Sequence, residues 1–230
     1  MKYIKHDEIG YFDHGWLKTY HHFSFGDYRD EDRIHFGPLR VVNDDIILAH
    51  QGFPEHPHRD MEILSYVVEG GLTHGDSMGH EETIYRGQVQ YMSAGTGVYH
   101  SEYNHGDVPV RLFQIWIYPD EKNYKPQYGD FRFNWNDRIN KWLHLVGKDA
   151  PITMHQDVNF YVTYLEPGKE IVFDVREGRQ AYVVQIERSS IINDVTLLEQ
   201  DALEVVEEKL NITTNEGSHL LVIEMRKELL

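Results

Sequence analysis

Two short motifs each place a pair of possible metal ligands at alternate positions in the chain. They are His56-Pro57-His58 and His100-Ser101-Glu102. In a β-strand, residues two apart project from the same face, so two neighbouring strands would present three imidazoles and one carboxylate to one point. That donor set suits a divalent transition-metal ion and leaves coordination positions open for an incoming molecule. The motifs therefore indicate a catalytic metal site rather than a structural one.

Each motif is weak evidence when it stands alone. The chain has fifteen histidines, so about one H-x-H triplet is expected by chance. A polar loop around Pro54 and Pro57 would explain the first motif, and a solvated strand end would explain the second. The residues around the motifs decide between these interpretations.

The segments that must position these residues have the pattern of short β-strands. Turn signals recur along the chain, as at Gly70-Gly71 and Gly95-Thr96-Gly97. This spacing of turns is typical of an all-β sandwich or barrel. Leu197–Lys209 is the nearest candidate for a helix, and two strands joined by an acidic turn explain it equally well. The clearest strand-like runs are Ile63–Val68, Val110–Tyr118, Phe160–Leu165, Ala181–Ile186 and Leu220–Met225.

A stretch rich in Pro, Asn and Asp, from Pro119 to Pro151, divides the chain. Its weak periodicity is expected for a crossover between two folded units. The half before it is rich in Gly and His, whereas the half after it has strands and turns but few histidines. We therefore predict two β units of unequal chemical content.

The composition excludes several classes of protein. The chain has 230 residues with 22 Lys+Arg and 38 Asp+Glu, and its formal net charge of −16 disfavours direct binding to nucleic acid or anionic membranes. It has no cysteine, which excludes disulfides and Cys-based metal sites. The charged N-terminus and the lack of a bilayer-length apolar run predict a cytoplasmic protein.

The residues around the two motifs resemble the two cupin motifs. The first has a Gly, the H-x-H triplet, then Glu62 and Gly70, and the second has Gly-x-x-His ending at His100 with Asn104 four residues later. More specifically, the chain is similar to the pirin family, the bicupins that include bacterial quercetin 2,3-dioxygenases. The matching segments run in order through about residues 10–118 and are His14–Leu17, Phe23–Phe25, Leu39–Asp45, His56–Arg59, Asp76–Gly79, Met92–Gly97, His100–Asn104 and Gln114–Trp116.

The resemblance implies an all-β fold of two cupin-type β-barrels packed together, with short helices or loops in the crossover. Residues 1–120 are then the N-terminal metal-binding barrel, residues 121–150 the crossover, and residues 151–230 a C-terminal cupin-like barrel. Because His155 has no partner at ligand spacing, we expect no metal in the C-terminal barrel.

The resemblance also implies the ligands. In this family the histidines of the H-x-H motif and the His and Glu of the H-x-E motif hold the metal, which here are His56, His58, His100 and Glu102. Glu62 takes the position of the carboxylate ligand in many other cupins, and strand parity alone does not exclude it. One divalent transition metal is expected, iron in first place, although nickel, manganese, cobalt, copper and zinc also suit an imidazole-rich site.

The implied reaction is the opening of the heterocyclic ring of a flavonol such as quercetin by oxygen, with loss of carbon monoxide. Glu102 is the expected general base for the flavonol hydroxyl. Phe53, Met92 and Trp116 are candidates for the pocket wall, although simple core packing explains each of them. Gln114 is a candidate to hydrogen-bond a ligand or substrate, and the competing carboxylate, Glu62, is a further pocket candidate.

Two other functions fit the same residues. A regulatory protein whose metal tunes contact with a protein partner, a role also associated with pirins, would keep the same ligands without turnover. A cupin isomerase or sugar-binding protein would use the barrel for a polar ligand. Lys, Arg and Tyr around the pocket would favour a polar ligand, whereas an apolar slot would favour a flat aromatic substrate.

Overall fold

The computed structural model describes residues 1–227, and nearly all of its regular structure is β-strand, which confirms the predicted fold class. Two short 3₁₀ helices span His6–Glu8 and Trp135–Arg138. The strands, numbered in chain order, are β1 (Lys2–Ile4), β2 (Gly10–Asp13), β3 (Leu17–His21), β4 (Leu39–Ile47), β5 (Gly52–His58), β6 (Glu62–Glu69), β7 (Gly71–Asp76), β8 (Glu81–Tyr85), β9 (Val89–Ser93), β10 (Val98–Tyr103), β11 (Val110–Ile117), β12 (Gln127–Phe131), β13 (Leu143–Val146), β14 (Val158–Leu165), β15 (Glu170–Asp174), β16 (Arg179–Arg188), β17 (Ser190–Ile192), β18 (Val195–Leu197), β19 (Ala202–Val206), β20 (Lys209–Thr213) and β21 (Ser218–Arg226).

The apolar runs seen in the sequence are interior strands of the two largest sheets. They correspond to β6, β11, β14, β16 and β21, each of which has a hydrogen-bonded neighbour on both sides. Most of their side chains are buried, which explains why their sequences are so rich in Val, Ile and aromatic residues. The segment Leu197–Lys209 is not helical. It contains β19 and the start of β20, with Glu207 and Glu208 in the turn between them.

By its internal contacts the chain divides into two units, Gly10–Phe133 and a second unit that joins Met1–Ile9 to the residues from Asn134 onward. The division lies inside the stretch 121–150 that we predicted as a crossover. That stretch contains β12, the second 3₁₀ helix and β13 rather than loops alone.

The first unit, Gly10–Phe133, consists of two sheets that share a core. The large sheet has the strand order β12-β9-β6-β11-β4-β3-β2, and the small sheet has the order β5-β10-β7-β8. Leu72 and Ile84 from the small sheet pack with Val67 and Leu112 from the large sheet. Both motifs lie on adjacent strands of the small sheet, β5 and β10.

Strand β5 contains two prolines, which a central strand does not tolerate. Pro54 and Pro57 have no N–H to donate, but β5 is at the edge of the small sheet and pairs only with β10. The edge position therefore allows an H-P-H triplet to adopt a strand conformation.

The second unit also has two sheets, with the orders β1-β19-β16-β21-β14-β13 and β15-β20-β17-β18. Its core includes Phe173 and Leu210 from the smaller sheet and Val183 and Leu220 from the larger. Residues 1–9, which we predicted in the N-terminal barrel, belong to this unit because β1 pairs with β19. No helix within residues 1–227 is long and apolar enough to cross a membrane.

Candidate metal centre

Three histidines converge inside the first unit. His56 and His58 lie on β5, and the antiparallel register places His100 of β10 opposite His56. One ring nitrogen from each of the three lies within 4.8 Å of the others, and the Nε2 atoms of His56 and His100 are 3.1 Å apart. The alternate spacing within the two motifs therefore brings these three side chains together, as the sequence predicted.

The backbone orients one of the rings. Nδ1 of His56 lies 2.8 Å from the carbonyl oxygen of Pro54, and since a carbonyl only accepts, Nδ1 carries the proton. In the neutral ring Nε2 is then a free donor atom for a metal ion. The same edge proline that has no N–H thus supplies the acceptor that fixes the tautomer.

Burial favours the neutral form of His58 and His100. Burial, with a smaller contribution from the neighbouring histidines, lowers the pKa of His58 to about 3. Burial followed by His56 and His74 lowers the pKa of His100 to about 3 as well. Neutral imidazole is the form that coordinates metals, so at neutral pH the rings of His58 and His100 need lose no proton to bind an ion. Three converging imidazole nitrogens fit a divalent transition metal.

Glu102 is buried next to this cluster and is held by three side chains of the large sheet. Its Oε1 accepts hydrogen bonds from Ser65 Oγ at 2.9 Å and from Gln90 Nε2. Its Oε2 accepts one from Gln114 Nε2 at 2.6 Å. A carboxylate oxygen has two lone pairs, so Oε2 keeps one of them for another partner.

The three groups that hold Glu102 form a row across the large sheet. Ser65 of β6 is paired with Gln90 of β9 on one side and with Gln114 of β11 on the other. A register shift in β10 after His100 pairs Glu102 with Phe53. Within residues 1–227 the tight cluster of metal-binding atoms consists of the three histidines and does not include a Glu102 oxygen. Coordination by Glu102 therefore stays a prediction.

A fourth histidine, His74, is buried next to the three that converge. The ring of His74, on β7, is 5.4 Å from that of His100 between centroids. Its Nε2 is 3.0 Å from Oδ2 of Asp76, and its ring stacks on Tyr128 at 4.3 Å. The Nδ1 atoms of His74 and His100 are both buried without a hydrogen-bond partner.

The cluster opens into a cavity of about 350 Å³. Of the predicted pocket residues, Phe53, Gln114 and Trp116 line it, and the Trp116 ring packs edge-on against His58 at 4.8 Å. Within residues 1–227 no Lys, Arg or Tyr lines it. The full lining is Phe25, Asn43, Asp45, Phe53, Pro54, His56, His58, His100, Glu102, Gln114 and Trp116.

Two predicted pocket residues lie elsewhere. The carboxylate of Glu62 accepts hydrogen bonds from the hydroxyls of Tyr91 and Ser93. Met92 is buried in an apolar cluster with Ile63. Strand parity misplaced Glu62, because β5 ends at His58 and β6 starts afresh at Glu62 in the other sheet.

Four lining residues were not predicted from the sequence: Phe25, Pro54, Asn43 and Asp45. The last two belong to a run of three buried polar residues, 43–45, between apolar residues of β4, and this run is the signal that could have found them. Burial raises the pKa of Asp45 to about 7; the nearby Thr19 hydroxyl partly offsets this effect, and the carboxylates of Asp44 and Glu102 reinforce it.

Comparison with known families covers both units. A family model described as Pirin matches residues 4–117, and one described as Quercetinase C-terminal cupin domain matches residues 146–225. The chain is 38% identical over 223 residues to the quercetin 2,3-dioxygenase of Escherichia coli (strain K12), with 96% of each chain covered. It is 37% identical over 223 residues to the pirin-like protein of Caulobacter vibrioides, covering 95% of this chain and 96% of that protein.

Solved structures agree with these relationships. The crystal structure of the bacterial pirin YhhW from Escherichia coli in complex with nickel(II) superimposes with a TM-score of 0.91 at 36% identity, covering 98% of each chain. A second crystal structure of YhhW superimposes with a TM-score of 0.93.

Proposed function

Because the chain belongs to the pirin family, we propose that it is a metal-dependent dioxygenase that opens the heterocyclic ring of a flavonol such as quercetin. The family includes relatives named as quercetin 2,3-dioxygenase and a pirin that has been crystallised with nickel. The first supports an oxygenase activity for this chain, and the second supports a bound divalent metal.

The observation that carries the proposal is the position of the three histidines in the wall of an aromatic cavity. His56, His58 and His100 face the same space as Phe53 and Trp116. A cavity of about 350 Å³ is in the range of small-molecule sites. Its aromatic walls suit a flat ring system better than a sugar, which supports a flavonol over the polar ligand of an isomerase.

In this proposal His56, His58, His100 and Glu102 hold the metal. A bound divalent ion supplies an electrophilic centre that stabilises an anionic substrate oxygen. Gln114 and Ser65 orient the Glu102 carboxylate. Its remaining lone pair on Oε2 would serve the metal and the proton of the substrate hydroxyl one at a time, so Glu102 would act as the base only while that lone pair is not bound to the metal. Phe53 and Trp116 exclude water, which strengthens electrostatic interactions within the cavity.

Turnover tests the proposal. Protein loaded with iron, nickel or manganese should consume oxygen and release carbon monoxide when quercetin is added, and His58→Ala should do neither. Metal-loaded protein that binds one ion per chain but consumes no oxygen with any flavonol would contradict the dioxygenase and favour a regulatory protein with a protein partner.

Two finer predictions belong to the same proposal. Iron is the metal we expect in first place, and the cytoplasm is the expected location. Metal analysis of protein purified without added metal tests the first, and fractionation of cells tests the second.

A further inference from the structure

Two polar side chains in the cavity wall have buried oxygens without partners. Asn43 and Asp45 are each only 3% exposed. The Oδ1 atom of each lies buried without a hydrogen-bond partner within residues 1–227. Both residues line the cavity that contains the three histidines.

The sheet register places these two residues beside the groups that orient Glu102. Asn43 is paired across the ladder with Gln114, which binds Glu102 Oε2. Asp45 lies two residues further along β4, on the same face. Gln114, Asn43 and Asp45 therefore form a polar track that leads away from Glu102 along an otherwise aromatic wall.

The residue between them behaves differently. Asp44 points to the opposite face of β4 and pairs with Arg111, with its Oδ2 2.7 Å from Nη2 and its Oδ1 2.9 Å from Nε. The strand thus pairs one buried carboxylate with an arginine, whereas Oδ1 of the next carboxylate has no hydrogen-bond partner within residues 1–227. A buried oxygen without a partner is unfavourable for folding, so a ligand that donates a hydrogen bond suits the Oδ1 atoms of Asn43 and Asp45.

The chemistry of this track selects the ligand. Asp45 offers carboxylate oxygens, and rotation of its carboxyl group about the Cβ–Cγ bond presents either of them. Since no Lys or Arg of the described chain lines the cavity, the wall around Asn43 and Asp45, away from the histidines, has no cationic side chain to bind an anionic group. A neutral hydroxyl on an aromatic ring is the group that Asp45 and Asn43 can bind.

We propose that Asn43 and Asp45 form a second anchor, which binds a phenolic hydroxyl of the substrate other than the one near the histidines. This rests on the proposed function and narrows it to polyhydroxylated, uncharged aromatic substrates. Asn43 and Asp45 are specificity-determining residues, and a flavonol without the additional hydroxyls binds at the histidines alone.

Binding under nitrogen tests this anchor without turnover. Nickel-loaded protein is titrated by calorimetry with quercetin and with the parent flavonol, which carries a hydroxyl only on the heterocycle. Wild-type protein should bind quercetin more tightly, by about tenfold or more, because a hydroxyl that the parent flavonol lacks donates a hydrogen bond to a buried oxygen of Asp45. Asp45→Leu should remove this preference and leave the affinity for the parent flavonol unchanged.

Stability distinguishes an anchor from a structural residue. Asp45→Leu and the isosteric Asp45→Asn should unfold at a midpoint close to that of wild-type protein, because burial disfavours the ionised form of Asp45 and raises its pKa to about 7. The matched control Asp44→Asn, which breaks the pair with Arg111, should lower the midpoint and keep the preference for quercetin.

Four results would overturn the anchor. A preference for quercetin that survives in both Asp45 variants would do so, as would an equal loss of affinity for both flavonols. If wild-type protein binds both flavonols equally, the anchor is contradicted but the proposed function is not. If wild-type protein binds neither flavonol, the proposed function is contradicted as well.

Discussion

At the scale of single residues, the orphaned nitrogens of His74 and His100 have complementary requirements. Asp76 accepts from Nε2 of His74, so in the neutral ring Nδ1 is an acceptor. A metal ion bound at Nε2 of His100 would leave its Nδ1 as a donor. The two rings lie 5.4 Å apart between centroids, and we predict that metal binding brings the two Nδ1 atoms within hydrogen-bond distance of each other.

Substitution of His74 should therefore weaken metal binding. His74→Phe keeps a ring to stack on Tyr128 but removes the acceptor, and we expect about 10–100-fold lower metal affinity. Competition with a chromophoric chelator measures this affinity. His80→Ala is the control, since His80 also bonds Asp76 and stacks on Tyr128 but is not part of the histidine cluster. Equal losses in both variants would assign the effect to Asp76 or Tyr128 instead.

The residues that the sequence located best are those whose geometry depends only on one strand. The H-x-H and H-x-E spacing brings His56, His58 and His100 together because each motif lies within a single β-strand. Glu62 was misplaced because a turn resets the parity between β5 and β6. Asp45 was missed because its position depends on which strands face each other, and local spacing carries no such information.

At the scale of elements, the close approach of β5 to β10 sets the distance between the two motifs. A Cβ on Gly52 would lie 2.3 Å from the backbone oxygen of Glu102 and 2.6 Å from Cα of Tyr103. Both are backbone atoms, so the strands themselves would have to move apart. Only glycine fits at this position of the β5–β10 ladder.

Gly52→Ala should therefore damage both the fold and the metal site. We expect a loss of about 1–3 kcal/mol in the free energy of unfolding, as for other overpacked sites, together with weaker metal binding. Urea unfolding and chelator competition measure the two effects. Gly75→Ala is the control, because its Cβ would meet only Ser101 Oγ, at 3.3 Å. Wild-type metal affinity in Gly52→Ala would contradict this role of the β5–β10 ladder.

The N-terminal strand of the second unit is fixed through one carboxylate. Asp201 accepts hydrogen bonds from the hydroxyl of Tyr3 at 2.5 Å and from the backbone N–H groups of His6 and Leu198, each at 2.8 Å. Burial alone would raise the pKa of Asp201, but the hydrogen bonds lower it by more. The net pKa therefore lies below the ordinary value of an aspartate. Asp201 therefore stabilises the folded state in its ionised form.

Asp201→Asn should be destabilising in a pH-dependent way. In the folded wild-type protein the pKa of Asp201 is lowered. The carboxylate therefore stabilises the folded state fully above the unfolded pKa of about 3.9, and this stabilisation is lost as the pH falls through the folded pKa. We expect a deficit of about 1–3 kcal/mol at pH near 7 that narrows under strongly acidic conditions. Urea unfolding at both pH values measures this, with the exposed neighbour Asp7→Asn as control. A deficit that stays constant with pH would exclude the ionised carboxylate as its cause.

Element types were predictable where a strand is interior, as with β6 or β21, because both faces demand apolar side chains. The placement of β1 in the second unit was not predictable. Lys2–Ile4 is only three residues long, and its partner strand β19 lies about two hundred residues away in the chain, with Lys2 opposite Glu204. Such long-range pairing leaves no local periodicity.

At the scale of the whole molecule, the ion should contribute to folding stability. A ligand that binds only the folded state stabilises it by about 2.7 kcal/mol at a free concentration a hundredfold above its Kd. Saturating nickel should therefore raise the unfolding temperature, and a chelator should lower it again. Calorimetry measures the shift, and His58→Ala should show none. A shift of the same size in His58→Ala would place the ion elsewhere.

The central claim is that this chain binds one catalytic ion through His56, His58 and His100, with Glu102 completing the set. Anomalous diffraction from crystals of nickel-loaded protein at the metal edge tests it most directly. We predict one strong peak per chain, within bonding distance of the three histidine Nε2 atoms and a Glu102 oxygen, open on the side of Phe53 and Trp116. A peak bonded to other residues, or an ion enclosed by protein ligands on every side, would contradict the proposed site and the chemistry assigned to it.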